Sequence, residues 1–354
     1  MTASMILYAP NVHTGGGVVL LRALLAEWPD DKPLLAYLDI RAKSLLSVPA
    51  GARVRWVEPS IRSRMKAGWE LSRSGKPGNT IFCFHGLPPL LRNRGRIVVF
   101  LQNRLYLSEG PASLLSLRPT AVRQEIERHI GRLCRQRVSE YIVQTPSMAR
   151  DLIRWLGGRP DGAPAVRVLP FLAGLATGPV SVPESAEWDF VYVADGVPHK
   201  NHRTLVEAWR LLAEEGLRPS LALTLSARDG ELRTEIAQSA AQLDLRITDL
   251  GQMSHEDVLA LYGKSKAIVF PSSAESFGLP LIEATHAGLP ILAPELDYVR
   301  DVCTPAQTFD AASPVSIARA VKRFLGAPER PLEIRTPGAF WSQLLPDERN
   351  ERPE

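Results

Sequence analysis

The chain has 354 residues with a formal net charge of +4, a length that supports two domains with full cores. Hydrophobic residues at 45% and charged residues at 23% exclude disorder, collagen-like repeats and a coiled coil, and no run approaches the roughly 18 uninterrupted apolar residues of a membrane span. The total charge hides an asymmetry: residues 1–175 hold 25 Lys and Arg against 12 Asp and Glu, a net of +13, whereas residues 176–354 hold 17 against 26, a net of −9.

In chain order, Met1 to Pro10 lacks the basic start and cleavage site of a signal peptide, so the protein is expected to be intracellular and cytoplasmic. The first strand-length apolar run, MILYA from Met5, leads into N-V-H-T-G-G-G-V-V, Asn11 to Val19. Its glycines, with Gly16 and Gly17 opening a helix predicted over Val18 to Trp28, either let a phosphate or sugar approach backbone N–H groups or form a merely flexible turn. The spacing fails the G-x-G-x-x-G dinucleotide fingerprint and lacks the lysine of a P-loop. Further strands are expected at LLAYL from Leu34, TIFCF from Thr80, IVVFL from Ile97 and YIVQT from Tyr141, with an Arg-rich helix over Ala121 to Arg137. His85 follows the Thr80 run, either as a site residue or as a structural loop histidine. Cys83, Cys134 and Cys303 share no C-x-x-C spacing, so they suggest neither a disulfide framework nor a zinc site, and no metal site is expected.

From Leu169 to Glu187 three prolines and two glycines break every apolar period, which marks a linker. Beyond it, FVYVA from Phe190, LALTL from Leu221, RITDL from Arg246, AIVF from Ala267 and PILA from Pro290 alternate with helices at Asn201 to Glu215, Glu231 to Leu243, His255 to Ser265 and Leu279 to Ala287. Apolar strands separated by amphipathic helices imply parallel sheets covered on both faces. The expected fold is α/β with two Rossmann-like domains facing a cleft: residues 1–172, a linker over 173–187, residues 188–336, and a last segment, 337–354, whose charged end DERNERPE is expected to fray. G-K-S at Gly263 to Ser265 falls inside a predicted helix without the upstream glycine, which disfavours a P-loop NTPase. No nucleic-acid-binding motif accompanies the basic half.

Ligands of such sheets sit at the carboxyl ends of the strands, and there the richest loop is A-I-V-F-P-S-S-A-E-S-F-G-L-P-L-I-E-A, Ala267 to Ala284. The N–H groups of Ser276, Phe277, Gly278 and Leu279 at a helix start favour an anion. Glu275 and Glu283 flank them, either as acceptors of paired hydroxyls or as surface charges at a helix start.

This stretch resembles the retaining glycosyltransferases of family 4, which have the GT-B fold. Their E-x-F-G-L-x-x-x-E pattern is matched by E-S-F-G-L-P-L-I-E, Glu275 to Glu283, and A-G-L-P-I-L-A from Ala287 resembles the next helix end and strand. V-A-D-G-V-P-H-K-N-H, Val193 to His202, is similar to the family's G-R-x-x-x-x-K-N segment, with Asp195 where Arg is usual. F-C-F-H-G-L-P-P-L-L and V-V-F-L-Q-N-R resemble segments of members that build surface polysaccharides such as lipopolysaccharide; Y-I-V-Q-T-P-S resembles the family's last first-domain strand, and G-A-F-W-S-Q-L-L resembles the terminal helix that crosses back to the first domain. The resemblance implies transfer of a sugar from a GDP- or UDP-sugar to a glycan or lipid-linked acceptor, with retention and with no cofactor or essential metal. It implies further that Lys200 carries the diphosphate, alone or with help from the first domain, that Glu275 holds the donor sugar and that Glu283 holds the ribose. His199 and His202 would orient the Lys200 loop, and His13 is an additional candidate. The alternative is a non-catalytic sugar-nucleotide-binding or scaffold protein with this fold. Arg62 to Lys66 and the helix Arg123 to Arg137 add an expected attraction to an anionic membrane face.

Overall fold

The computed structural model describes residues 5–29, 31–84, 86–107, 119–158, 162–171 and 186–327. The described chain forms two parallel sheets. The first contains β1 (Met5–Ala9), β2 (Leu34–Asp39), β3 (Arg53–Val57), β4 (Thr80–Cys83), β5 (Arg96–Phe100), β6 (Glu140–Val143) and β7 (Ala165–Val168), in the order β3-β2-β1-β4-β5-β6-β7. Helices α1 (Gly15–Ala26), α2 (Ile61–Ser74), α3 (Pro119–Cys134) and α4 (Pro146–Trp155) connect these strands. The second sheet contains β8 (Trp188–Tyr192), β9 (Leu221–Leu223), β10 (Ile247–Asp249), β11 (Ser265–Val269), β12 (Ile291–Pro294) and β13 (Gln307–Phe309), in the order β10-β9-β8-β11-β12-β13. Helices α5 (His202–Glu214), α6 (Gly230–Gln242), α7 (His255–Tyr262), α8 (Leu279–His286), α9 (Asp297–Arg300) and α10 (Pro314–Phe324) belong to this half.

The central strands are buried on both faces because they are uninterrupted apolar runs, and each half has its own core. Phe190, Trp209, Tyr262 and Phe270 lie at the centre of the second; Ile6, Ile81, Val99 and Leu152 belong to one of two clusters in the first, split by the sheet. Both sheets repeat one order, in which the chain leaves the first strand for one side and returns for the other. The crevices at these switch points therefore open beside β1 and β4 in the first sheet, and beside β8 and β11 in the second. The glycine loop, the Lys200 loop and the Glu275 loop follow three of these four strands.

Three strands, β3, β7 and β13, lie outside the expected apolar runs. β3 and β7 are edge strands, R-V-R-W-V and A-V-R-V, whose Arg53, Arg55 and Val168 are exposed, and β13 has only three residues. Helix α7 ends at Tyr262 and Ser265 begins β11, so G-K-S joins a helix to a strand rather than lying within a helix. The linker residues 173–185, the terminal helix at 337–354 and His85 lie outside the described residues.

Candidate functional site

Lys200 ends a short 3₁₀ turn, Pro198–Lys200, after β8. The Tyr192 hydroxyl donates to the Lys200 carbonyl at 2.6 Å, and the Ser273 N–H donates to the His199 carbonyl at 2.8 Å. Asn201 adopts φ +64°, a left-handed conformation that Asn tolerates. Its side-chain amide donates to the Ala311 carbonyl, and Thr204 donates to its Oδ1 at 2.7 Å. The turn is thereby fixed to β8 and to the Glu275 loop, and Lys200 Nζ lies 2.6 Å from Glu275 Oε1. His199 is held below the usual histidine range by burial and by the Lys200 charge. Asp195, in the same loop, is exposed.

Glu283, on α8, is 8% exposed. His255 Nε2 lies 3.0 Å from its Oε1 and the Tyr262 hydroxyl donates to its Oε2 at 3.3 Å. Burial raises its carboxyl above the ordinary range, with His255 and the Tyr262 bond pulling the other way. Neither His255 nor Tyr262 follows from the Glu275–Glu283 spacing, because both come from α7, which is recognisable in sequence only as a helix.

The first domain meets this site directly. Helix α1 begins at Gly15, three residues before the predicted start, so the glycines form its first turn. Gly15 sits at φ +63°, and a Cβ on Gly16 would lie 2.7 Å from Leu279 Cδ1. A side chain at Gly16 would thus have to push aside the end of the Leu279 side chain at the start of α8. Neither helix N-terminus is capped by a side chain: Thr14 before α1 makes no such bond, and Gly278 before α8, at φ +71°, has none to make. Two positive helix ends with open N–H donors therefore converge on one crevice. Phe277, beside them, is 7% exposed, and Gly17 packs near Val12 and Gln102.

Ser276 is turned toward the first domain. Its Oγ accepts from the Arg104 N–H at 2.8 Å and its carbonyl accepts from Thr145 Oγ1 at 3.3 Å. The Arg104 guanidinium reaches the Glu275 carbonyl at 3.5 Å and pairs with Asp151 at 2.6 Å. Nearby, the Ser147 N–H donates to Asp301 at 2.8 Å and Arg150 pairs with Asp297 at 2.9 Å. Arg104 ends the V-V-F-L-Q-N-R segment, but its contact with Ser276, 172 residues away, is not legible in the sequence. On the first-domain side, His13 Nδ1 is 3.7 Å from the buried Asp39 carboxylate, which Arg41 also engages. Burial lowers the His13 pKa.

The site thus brings Lys200, Glu275, Phe277, Gly278 and Leu279 to the crevice with Gly16 and Gly17, and places Glu283 behind them on α8. Residues 179–338 match the family model for glycosyl transferases group 1. A serotype-specific mannosyltransferase, WbdA, of Escherichia coli is 29% identical over 188 residues, covering 52% of this chain and 21% of that protein. The O-antigen chain mannosyltransferase B of Escherichia coli is 31% identical over 115 residues, 32% of this chain and 30% of that protein. The chain thus spans about a fifth to a third of the length of these relatives. Among solved structures, that of HepE from Anabaena in complex with UDP and glucose superposes with a TM-score of 0.67 over 91% of this chain and 90% of that one, at 16% identity. The architecture is the GT-B fold.

Proposed function

We propose, from the match of the second domain to the glycosyl transferases group 1, that the chain transfers a sugar from a GDP- or UDP-sugar to a glycan or lipid-linked acceptor in bacterial surface-polysaccharide synthesis. Residues 1–172 serve the acceptor, residues 188–336 the donor, with 173–187 linking them and 337–354 returning to the first domain. The observation that carries the reading is the meeting of Lys200 and Glu275 beside two uncapped helix N-termini. That arrangement offers a cation and backbone donors to a diphosphate, and a carboxylate to sugar hydroxyls.

When the bond between the anomeric carbon and the diphosphate breaks, the departing oxygen takes the electron pair. Lys200 and the N–H groups around Gly278 and Gly16 stabilise that charge by being in place beforehand. Glu275 orients the transferred sugar and Glu283 the ribose, both by accepting hydroxyl hydrogen bonds. Lys200 neutralises Glu275 without being consumed by it, since an ammonium has three donors and Glu275 takes one. Retention of anomeric configuration and independence of divalent metal belong to the same proposal, as does a contact of His85 with sugar or acceptor. Relatives named as mannosyltransferases make mannosyl donors the first to try. The reading places the protein in the cytoplasm, docked peripherally on an anionic membrane face through its basic half.

The test is a panel of nucleotide sugars screened by thermal shift, in which a ligand at a hundredfold excess over Kd adds about 2.7 kcal/mol. Binders then enter a transfer assay with and without a chelator. Stabilisation by at least one donor and chelator-resistant transfer are expected. Binding without either transfer or hydrolysis favours the scaffold alternative, and no stabilisation by any donor overturns both.

A further inference from the structure

Helix α2 has two apolar faces, and only one of them is used inside the molecule. Ala67 and Leu71 pack into the first-domain core. On the other side Ile61, Met65 and Trp69 are 79%, 70% and 53% exposed. At 3.6 residues per turn these three fall within an arc of about 80°, and Arg62, Arg73 and Lys66 occupy the adjoining arc, about 100–140° around from Ile61. The buried pair lies across the helix from both. Single exposed apolar residues are ordinary on a soluble surface, but three at successive i, i+4 positions form a continuous stripe.

The flanking charges say what covers it. Arg62, Lys66 and Arg73 are exposed, and the Arg73 guanidinium stands 4.7 Å over the Trp69 ring. Arg53 and Arg55 extend the basic surface on the neighbouring edge strand β3. The acid on the helix, Glu70, is half-buried and faces Lys66 at 4.0 Å. An apolar stripe containing a tryptophan, bordered by long basic side chains, suits the boundary of acyl chains and anionic headgroups. The basic stems lie along the apolar layer while their heads reach phosphate. A helix that binds by charge alone needs no exposed stripe, and a protein partner would be expected to supply acids for the whole basic arc.

The position on the fold agrees. Helix α2 starts four residues after β3 ends, so Ile61 lies at the carboxyl end of the sheet, the end that faces the second domain. An acceptor carried on a lipid would then enter the cleft from the surface on which the stripe rests.

We propose that the Ile61, Met65 and Trp69 face of α2 inserts into the headgroup boundary of an anionic bilayer, with Arg62, Lys66 and Arg73 set at the lipid phosphates. This rests on the peripheral docking proposed above and adds a specific inserting element to it. Co-sedimentation of the full chain with vesicles of phosphatidylcholine containing phosphatidylglycerol, at low and at high salt, tests both. The native chain is expected to bind at low salt and to retain part of that binding at high salt. The triple variant Ile61→Ser, Met65→Ser, Trp69→Ser should bind at least about thirtyfold more weakly, with an unchanged thermal midpoint because the three side chains are exposed. If the native chain fails to bind at low salt, the docking reading falls and the insertion with it. If it binds and the triple variant binds equally well, docking stands as electrostatic and the insertion is wrong. A concentration-dependent dimer in sedimentation velocity that the triple variant abolishes, with vesicle binding untouched, would assign the stripe to a second copy of the chain instead.

Discussion

Lys200 Nζ and Glu275 Oε1 are 2.6 Å apart although 75 residues separate them, and both side chains are largely buried, at 16% and 13% exposure. Each therefore depends on the other for its charge to be tolerated there. Lys200→Ala should weaken nucleoside diphosphate binding by ten- to a hundredfold, the effect of a charge-assisted hydrogen bond of about 1.5–3 kcal/mol, while sparing nucleoside binding. Glu275→Gln should do the opposite to the diphosphate: with its partner neutral, Lys200 is left a full charge for phosphate, so affinity holds or rises while turnover falls. Calorimetric titration with the diphosphate and the nucleoside, alongside initial rates, checks both. Equal losses for both ligands in Lys200→Ala would remove that lysine from the diphosphate.

Glu283 should give nucleotide binding a pH dependence of its own. Burial raises its carboxyl above the ordinary range, and His255 moderates the rise. In the function proposed above ribose hydroxyls donate to the ionised form, so diphosphate affinity should fall as pH drops through a midpoint above the ordinary value of about 4.3. Stability runs the other way. A raised native pKa contributes stability that is present at low pH and is lost as pH rises through the native value. Glu283→Gln should flatten the affinity profile and lower affinity throughout, and His255→Gln should move the midpoint further up. A midpoint in the ordinary glutamate range would show that burial does not govern this carboxyl.

The second-domain half of this site was legible in the sequence because its parts are local. The spacing from Glu275 to Glu283 sets one strand-loop-helix unit, and Lys200 follows a strand that is plainly apolar. The contributions that escaped are those made by distance: Arg104 to Ser276, Thr145 to Ser276, and His255 and Tyr262 to Glu283 are pairs that no sequence period joins. The edge strands β3 and β7 escaped for a different reason. One face of each is wet, so Arg interrupts the apolar run by which the central strands were recognised.

The contact between Gly16 and Leu279 predicts a defect in domain approach rather than in the chemistry. A Cβ at Gly16 would lie 2.7 Å from Leu279 Cδ1, a separation that a methyl group relieves by turning the end of a flexible leucine. A branched side chain leaves no such escape. Gly16→Ala should therefore retain much of the activity, whereas Gly16→Val should open the interface, enlarge the radius of gyration in solution scattering and reduce transfer at least tenfold. Nucleoside binding to the second domain should be little changed. An unaltered radius with lost activity would mean that the glycine is needed for ligand approach alone.

His202 offers a stability prediction with a worked sign. It is 3% exposed, stacked on Tyr192 at 4.8 Å, and neither ring nitrogen has a hydrogen-bond partner among the described residues. Burial pushes it down to about 4, against an ordinary histidine value of about 6.5 in the unfolded chain. Between those values the unfolded chain binds a proton that the folded chain refuses, so stability is full above about pH 6.5 and declines as pH falls toward the native value. Across the whole window the loss is on the order of 3 kcal/mol. Phenylalanine fits the stack and carries no buried nitrogen to leave unpaired. His202→Phe should therefore be neutral or stabilising at pH 7 and should remove about one proton from the slope of unfolding free energy against pH between 6.5 and 4. Urea unfolding at several pH values measures that slope directly. If the native chain and the variant decline in parallel, His202 is protonated as readily inside the fold as outside it, and its nitrogens must then be solvated.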